Sequence, residues 1–272
     1  MSTLAVRRLL IDLEAPVARH WCGGDAFRTA LLNALSMSFP AGEQFFIDAV
    51  RAGVQALPAD RQESWRAAIK GFIGQEAAHR RIHSLFNEHL LRQGLVDQWT
   101  PRMLEQQKLL EGTDPRHAIA VTAATEHFTA MMGEWLLAHP EVLAGAEPRL
   151  QTLWLWHSAE ETEHKAAAFD LYRALEGNHA WRVRWFRRIT TSFLLDVARQ
   201  TLVNLQRDGT LWRFGTWRSA ARLLLGRQGL VRQNIGAWRD YLREDFHPGQ
   251  HDSDLSARWL AAHRDQYQPV GA

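Results

Sequence analysis

The chain has one cysteine, Cys22, among 272 residues. No internal disulfide can form, and a reducing compartment is the simplest setting. Cys22 stands beside Gly23-Gly24 and reads either as a reactive thiol or as packing, the usual fate of a lone cysteine. Long apolar runs are missing. No stretch reaches the roughly 18 uninterrupted apolar residues of a membrane-spanning helix. The segment Met1 to Arg8 lacks the apolar centre and small-residue cleavage site of a signal peptide. These absences point to the cytoplasm. Strand-like alternation between turn dipeptides is essentially absent, which leaves an all-α chain. Low-complexity segments are also missing, and with 46% hydrophobic and 23% charged residues the chain is not globally disordered. The net charge of +2 excludes a strong field from the molecule as a whole.

What the chain does have is 12 tryptophans and 13 histidines. Tryptophan points to aromatic packing or an interface, and histidine to metal or proton chemistry where positions converge. Proline and glycine divide the sequence into helical segments. A lead-in contains a helix near 27–36, and a second helix starts around Pro40 and ends before Leu57-Pro58-Ala59. Asp60, with Glu63 three residues on, predicts a capped helix that runs to about Gln93, where Gly94 ends it. A short helix follows near 101–111, another opens at Asp114-Pro115, and a last long one spans Glu147-Pro148 to Gly177. We expect a helical bundle over 1–179 and a basic, Trp-rich helical extension over 180–272. Between Trp181 and Gln250 there are 13 arginines and 5 acidic residues, a local charge of +8, so the remainder carries −6. Such asymmetry suggests two surfaces with different partners.

Residues three or four apart on a helix share a face. Glu76 and His79 form one Glu-x-x-His, and Glu161 and His164 form a second. Each places a carboxylate and an imidazole over one spot, as a shared metal requires. Bundle di-metal proteins add a single glutamate from each of two further helices, and Glu43 and Glu126 stand in those places. The order Glu, Glu-x-x-His, Glu, Glu-x-x-His nearly repeats itself, with 33 residues from Glu43 to Glu76 and 35 from Glu126 to Glu161. Apolar neighbours such as Phe72, Ile119, Leu153 and Trp154 imply burial, which is costly for a carboxylate without a partner. One Glu-x-x-His alone is the ordinary dress of a solvated helix; the ordered set of six is not. His83, His127 and His157 read as supports of the ligands, extra ligands or core histidines. Glu160, four residues before His164, competes with Glu161, and the spacing of three favours Glu161.

Ser38-Phe39-Pro40-Ala41-Gly42-Glu43, Gln75-Glu76-Ala77-Ala78-His79 with His83, Glu126-His127-Phe128-Thr129-Ala130, and Trp156-His157-Ser158-Ala159-Glu160-Glu161-Thr162-Glu163-His164-Lys165 together resemble a bacterial family named predicted metal-dependent hydrolases. The likeness runs from about Val17 to His251. It implies a ferritin-like metal site on Glu43, Glu76, His79, Glu126, Glu161 and His164. Phe246-His247-Pro248 resembles the family's ending, with Gly249 where an aromatic is expected.

Four carboxylates neutralise two divalent ions, and their mixture with imidazoles suits iron, with manganese or zinc as alternatives. The expectation is a ferritin-like four-helix bundle with a di-iron centre that activates dioxygen to oxidise or oxygenate an apolar or lipid-like small molecule. Hydrolysis by a metal-activated water is the alternative, although no Gly-x-Ser-x-Gly is present. Metal storage is the third reading, which the basic tail disfavours. No catalytic residue is assigned beyond the metal centre. The tail fits helices packed on the bundle with a solvated arginine face. It also fits peripheral contact with an anionic membrane, which would place the protein at the inner membrane surface. Nucleic acid is disfavoured for want of a binding motif, and a homodimer is left open.

Overall fold

Asp25 starts the first long helix by accepting the Arg28 amide at 2.9 Å. In the computed structural model, which describes residues 4–251 and 253–270, this helix, α1 (Ala26–Gln55), runs unbroken through Pro40. The boundary expected at Pro40 is therefore corrected: one helix stands where two were expected. An interior proline removes the amide that would bond the carbonyl four residues back. That carbonyl belongs to Ser36, and it accepts Asn87 Nδ2 at 2.9 Å instead. A side chain from the neighbouring helix thus supplies the missing donor.

Helix α2 (Ala59–Arg92) has Pro58 at its N-cap and no side-chain cap. Asp60 lies in the first turn, where its charge favours the positive end of the helix dipole. Glu63 pairs with Arg66 at 3.1 Å rather than closing a capping box. The corner is tied by Gln62, whose Nε2 donates to the carbonyls of Gln55 at 3.1 Å and Leu57 at 2.9 Å. Gly94, at φ +86°, takes the left-handed conformation that ends the helix. Helix α3 (Trp99–Lys108) precedes α4 (Pro115–Ala138), which Asp114 caps through the Arg116 amide at 2.9 Å. The helix expected over 148–177 is two, α5 (Pro148–His164) and α6 (Ala167–Ala174). The interruption follows His164 directly, where Lys165 Nζ donates to the His251 carbonyl at 2.7 Å.

The tail forms α7 (His179–Arg207), α8 (Phe214–Leu225), α9 (Leu230–Asp240) and α10 (Leu255–Ala262). One short ribbon, β1 (Arg7–Leu9) antiparallel to β2 (Tyr267–Pro269), joins the two ends of the chain, and the sequence reading had no strand there. The fold is all-α, as the spacing implied. Among the described residues, no helix is long and apolar enough to cross a membrane.

Helices α1 and α2 pack as one hairpin and α4 and α5 as another; α1 also meets α4, and α2 meets α5. Helix α7 lies against α1 and α4, α8 against α1, and α9 against α4 and α8. Two apolar clusters form within the paired hairpins. One gathers Leu35, Phe86, Leu90, Leu150, Leu153 and Trp156. The other gathers Phe46, Val50, Ile69, Phe72, Ile119 and Leu171. Glu43 on α1, Glu76 and His79 on α2 and Glu126 on α4 fall, in sequence, between these clusters; on α5 Glu161 and His164 lie between the first cluster's Ala159 and the second cluster's Ala167 and Leu171 on α6. Each cluster buries several large side chains at roughly 1.5–3 kcal/mol apiece, which holds the polar layer between them away from water.

Candidate metal centre

The layer between the clusters contains Glu43 from α1, Glu76 and His79 from α2, Glu126 from α4, and His157, Glu161 and His164 from α5. All seven are buried, none more than 4% exposed. The structure therefore brings together all six residues expected from spacing, and adds His157. His164 Nε2 lies 3.0 Å from Glu76 Oε1, 3.2 Å from Glu126 Oε2 and 3.6 Å from Glu161 Oε1. His79 Nδ1 lies 3.3 Å from Glu161 Oε1. His157 Nε2 lies 3.0 Å from Glu161 Oε1 and 3.9 Å from Glu43 Oε1. Both carboxylate oxygens of Glu43, Glu76 and Glu126, with Glu161 Oε2, His79 Nδ1 and His164 Nε2, make no hydrogen bond. These atoms converge, those of each potential ligand group lying within 4.8 Å of one another.

The opposite nitrogen of each imidazole is held by a chain of hydrogen bonds, and each chain fixes where the proton sits. His79 Nε2 donates to Glu160 Oε2 at 3.0 Å, and Glu160 accepts Arg7 Nη1 at 2.9 Å. Gln75 Nε2 donates to the Ala5 carbonyl and to Glu163 Oε2, so its Oε1 accepts His164 Nδ1–H at 2.9 Å. Asn87 Nδ2 is committed to the Ser36 carbonyl, so Asn87 Oδ1 accepts Ser36 Oγ–H at 2.7 Å. Ser36 Oγ in turn accepts His83 Nδ1–H at 2.8 Å, and His83 Nε2 accepts His157 Nδ1–H at 2.7 Å. With the outer protons fixed in this way, a cation that displaces the inner protons of His79 and His164 would meet lone pairs on His79 Nδ1, His164 Nε2 and His157 Nε2, all directed inward. Such backing of an imidazole is what orients a metal ligand.

Electrostatics in the layer follow from burial. Desolvation lifts the Glu43 and Glu76 carboxyls above their usual range and Glu126 to about 8. Burial would also raise Glu161, but His164, His157 and His79 around it hold it well below the usual range. Burial pushes His79 down, but Glu160 and Glu161 more than offset this and carry it up to about 10. Burial opposes the charge on His164 as well, and Glu126, Glu161 and Glu76 raise it well above its ordinary value. Burial, reinforced by His79, takes His157 down to about 4. The layer thus competes for protons among crowded carboxylates, and a cation would meet the same acceptors with charge of the sign they need.

Glu160 and Glu161 occupy different surroundings. Glu161 joins the converging atoms, and Glu160 turns to Arg7 and the outer nitrogen of His79. His83 backs His157 without reaching the layer's centre. His127 lies elsewhere: its Nε2 donates to the Ala237 carbonyl at 3.0 Å, and its ring packs on Tyr241 and Phe246 of the tail. Cys22 is buried, with its thiol pushed up to about 11 by desolvation, and its Sγ lies 3.7 Å from the Val142 carbonyl, so the packing reading holds.

The sequence reading missed Arg7, Gln75, Ser36 and Asn87. Arg7 reaches Glu160 and Glu163 behind the layer because the chain around β1 lies close on α2, where a Cβ on Gly71 or Gly74 would collide with Leu4 or Val6. Two glycines three residues apart inside a long helix are the sequence trace of that close approach. Nothing in the local pattern marks Ser36 or Asn87, whose roles depend on Pro40 being inside α1.

A family model described as "Predicted metal-dependent hydrolase" matches residues 5–252. No curated protein and no solved structure matches the chain.

Proposed function

Because the chain belongs to the family of predicted metal-dependent hydrolases, we propose that it is a metal-dependent enzyme whose buried layer holds two divalent ions. The observation that carries this reading is the set of nine buried donor atoms on Glu43, Glu76, His79, Glu126, Glu161 and His164 that make no hydrogen bond yet converge. Two groups of facing ligand atoms share no residue: Glu43, His79 and His157, and Glu76, Glu126 and His164. Glu161 Oε1, within 3.0 Å of His157 Nε2 and 3.6 Å of His164 Nε2, lies in reach of both. Four carboxylates balance two divalent charges, and two hairpins with this donor order correspond to the ferritin-like di-metal arrangement. An oxygen-rich set with imidazoles favours iron, then manganese, over zinc.

Bound there, two such ions would supply either reduction of dioxygen or activation of a water molecule. The donor set and its surroundings favour the first, oxidation of an apolar molecule. A cavity of about 330 Å³ opens beside Glu43, with Phe39, Phe46, Val121 and Phe193 in its walls. These side chains would bind a hydrocarbon portion and exclude water. The three hydrogen-bonded chains keep the imidazole protons on the outer nitrogens, and Arg7 holds Glu160 and Glu163 as acceptors behind them. Hydrolysis is the second reading, and among the comparisons the family's description favours it over oxidation.

One experiment separates the two. Protein loaded with ferrous iron without oxygen is mixed with air while oxygen uptake and visible absorbance are followed. The oxidative reading expects uptake and an iron(III) chromophore, both lost in Glu126→Ala. An inert ferrous protein that cleaves ester or phosphate substrates when loaded with manganese or zinc establishes hydrolysis instead.

A further inference from the structure

Residues 209–239 contain six arginines, Arg213, Arg218, Arg222, Arg227, Arg232 and Arg239, and no acidic residue. All six are exposed, and none makes an ion pair among the described residues. Large apolar side chains stand among them in solvent: Trp212 is 91% exposed, Phe214 82% and Leu225 66%. An isolated exposed apolar residue is ordinary, but a cluster of them is not.

Two hollows flank α8. On one side an apolar groove of about 670 Å³ runs between α1, α4 and α7–α9, with Leu194, Leu202, Trp217, Val231 and Ile235 along it. Each of these five is itself 41–52% exposed, so the groove is open. On the other side a cavity of about 550 Å³ takes Arg218, Arg222 and Arg227 together with Arg28. Asp25 and Glu141 also line it, and Asp25 is engaged with Arg28 at 3.3 Å. Helix α8 thus separates a pocket with three arginines free of ion pairs among the described residues from a hydrocarbon-sized groove.

We propose that α7–α9 seat the protein on an anionic lipid bilayer, with headgroup phosphates among Arg218, Arg222 and Arg227 and an acyl chain in the groove. Arginine binds phosphate through its planar donors, and exposed tryptophan suits the boundary between headgroups and chains. A second copy of this chain is the poorer occupant: a two-fold contact would set six unpaired arginines against six more. A smaller cavity shares Leu31, Leu35, Met132, Phe193 and Leu230 with the groove and reaches His157 and Glu161. These five side chains form an apolar boundary between the groove and the buried layer; passage of a membrane-derived chain across it rests on the proposed function, whereas docking does not.

The test is sedimentation of the full chain with vesicles of phosphatidylcholine, with and without phosphatidylglycerol, at low and high salt. Binding is expected only with the anionic lipid and should weaken with salt. Each basic residue at a charged bilayer is worth about fivefold in affinity, so Arg218→Gln/Arg222→Gln/Arg227→Gln should lose on the order of a hundredfold. Trp212→Ser/Phe214→Ser should also weaken binding, and brominated lipid should quench the native protein's tryptophan fluorescence more than this variant's. Equal binding to both vesicle types, no binding at low salt, or full binding by the triple variant overturns the proposal. So does a dimer that the Trp212→Ser/Phe214→Ser change converts to monomer. Metal content separates the two readings: Glu126→Gln should bind vesicles like the native chain, and the triple arginine variant should keep its metal. Vesicle binding by a native protein that takes up no metal would remove the metal reading and leave docking intact.

Discussion

The buried layer between the two hairpins and the exposed face of α7–α9 use charge in opposite ways. In the layer, every imidazole is backed: Glu160 and Arg7 hold His79, Gln75 holds His164, and His83, Ser36 and Asn87 hold His157. On the tail face, six arginines between 209 and 239 have no ionic partner among the described residues. The lesson is one of dielectric. A charge out of water must be surrounded by partners or it is expelled. A charge in water costs little to leave unpaired and stays free for a ligand. Sequence composition shows the arginines and hides the partners, since the partners come from distant segments.

The sharpest way to break this contrast is to remove an inward-facing carboxylate. Glu76→Ala and Glu161→Ala should each lose at least one of two ions per chain, with affinity falling by more than about a hundredfold, beyond the range seen for supporting residues. Metal analysis after dialysis checks this, and full occupancy in both variants would remove the assignment. The backing residues come next. Glu160→Gln, Gln75→Leu and His83→Phe should keep two ions but bind them roughly 10–100-fold more weakly. Competition with a chelator measures the loss. Glu160→Gln behaving as badly as Glu161→Ala would exchange the roles given to these neighbours.

A third prediction concerns pH. Glu126 is raised to about 8 and His79 to about 10 in the fold. Between their unfolded values and these folded ones, the folded state binds protons that the unfolded state has released. Stability of the metal-free protein should therefore fall as pH rises from about 6.5 to 8, on the order of 2 kcal/mol per fully affected group. His157, lowered to about 4, acts with the opposite sign only below its unfolded value near 6.5, outside that window. Metal replaces the protons, so the loaded protein should lose this slope. Denaturant unfolding at several pH values, with and without metal, measures both, and a metal-free protein that gains stability over the window would contradict the electrostatics described. The smallest effect belongs to the tail. Arg218→Gln, Arg222→Gln and Arg227→Gln should each change stability by no more than about 0.5 kcal/mol and leave metal content unchanged. A larger loss would mean that these arginines are structural after all.

Much of the helical layout was legible because its signals are local. Asp114-Pro115 opens α4, Gly94 follows α2, and Pro148 opens α5, each through the conformation of a single turn. The misreadings were also local rules overruled from afar. Pro40 reads as a helix start until Asn87 supplies a donor to the Ser36 carbonyl. Asp60 reads as a cap until the Leu57-Pro58 corner, tied by Gln62, starts the helix two residues earlier. The break after His164 has no mark in the sequence, and it coincides with a contact from His251 in the tail.

By itself the sequence determined that Glu76 and His79, and likewise Glu161 and His164, share one face of a helix. That follows from the fixed period of the backbone and needs no partner. It also determined that four helices carry such residues between apolar stretches. Only the tertiary structure decided that Glu161 rather than Glu160 faces the layer. The choice is made by Arg7, 153 residues away in the chain, which holds the Glu160 carboxylate on the far side of His79. The tertiary structure likewise brought His157 into the layer, because its orientation depends on His83 and Ser36 across two other helices. Helical periodicity is set by neighbouring residues, but the partner that stabilises a buried charge is chosen by packing.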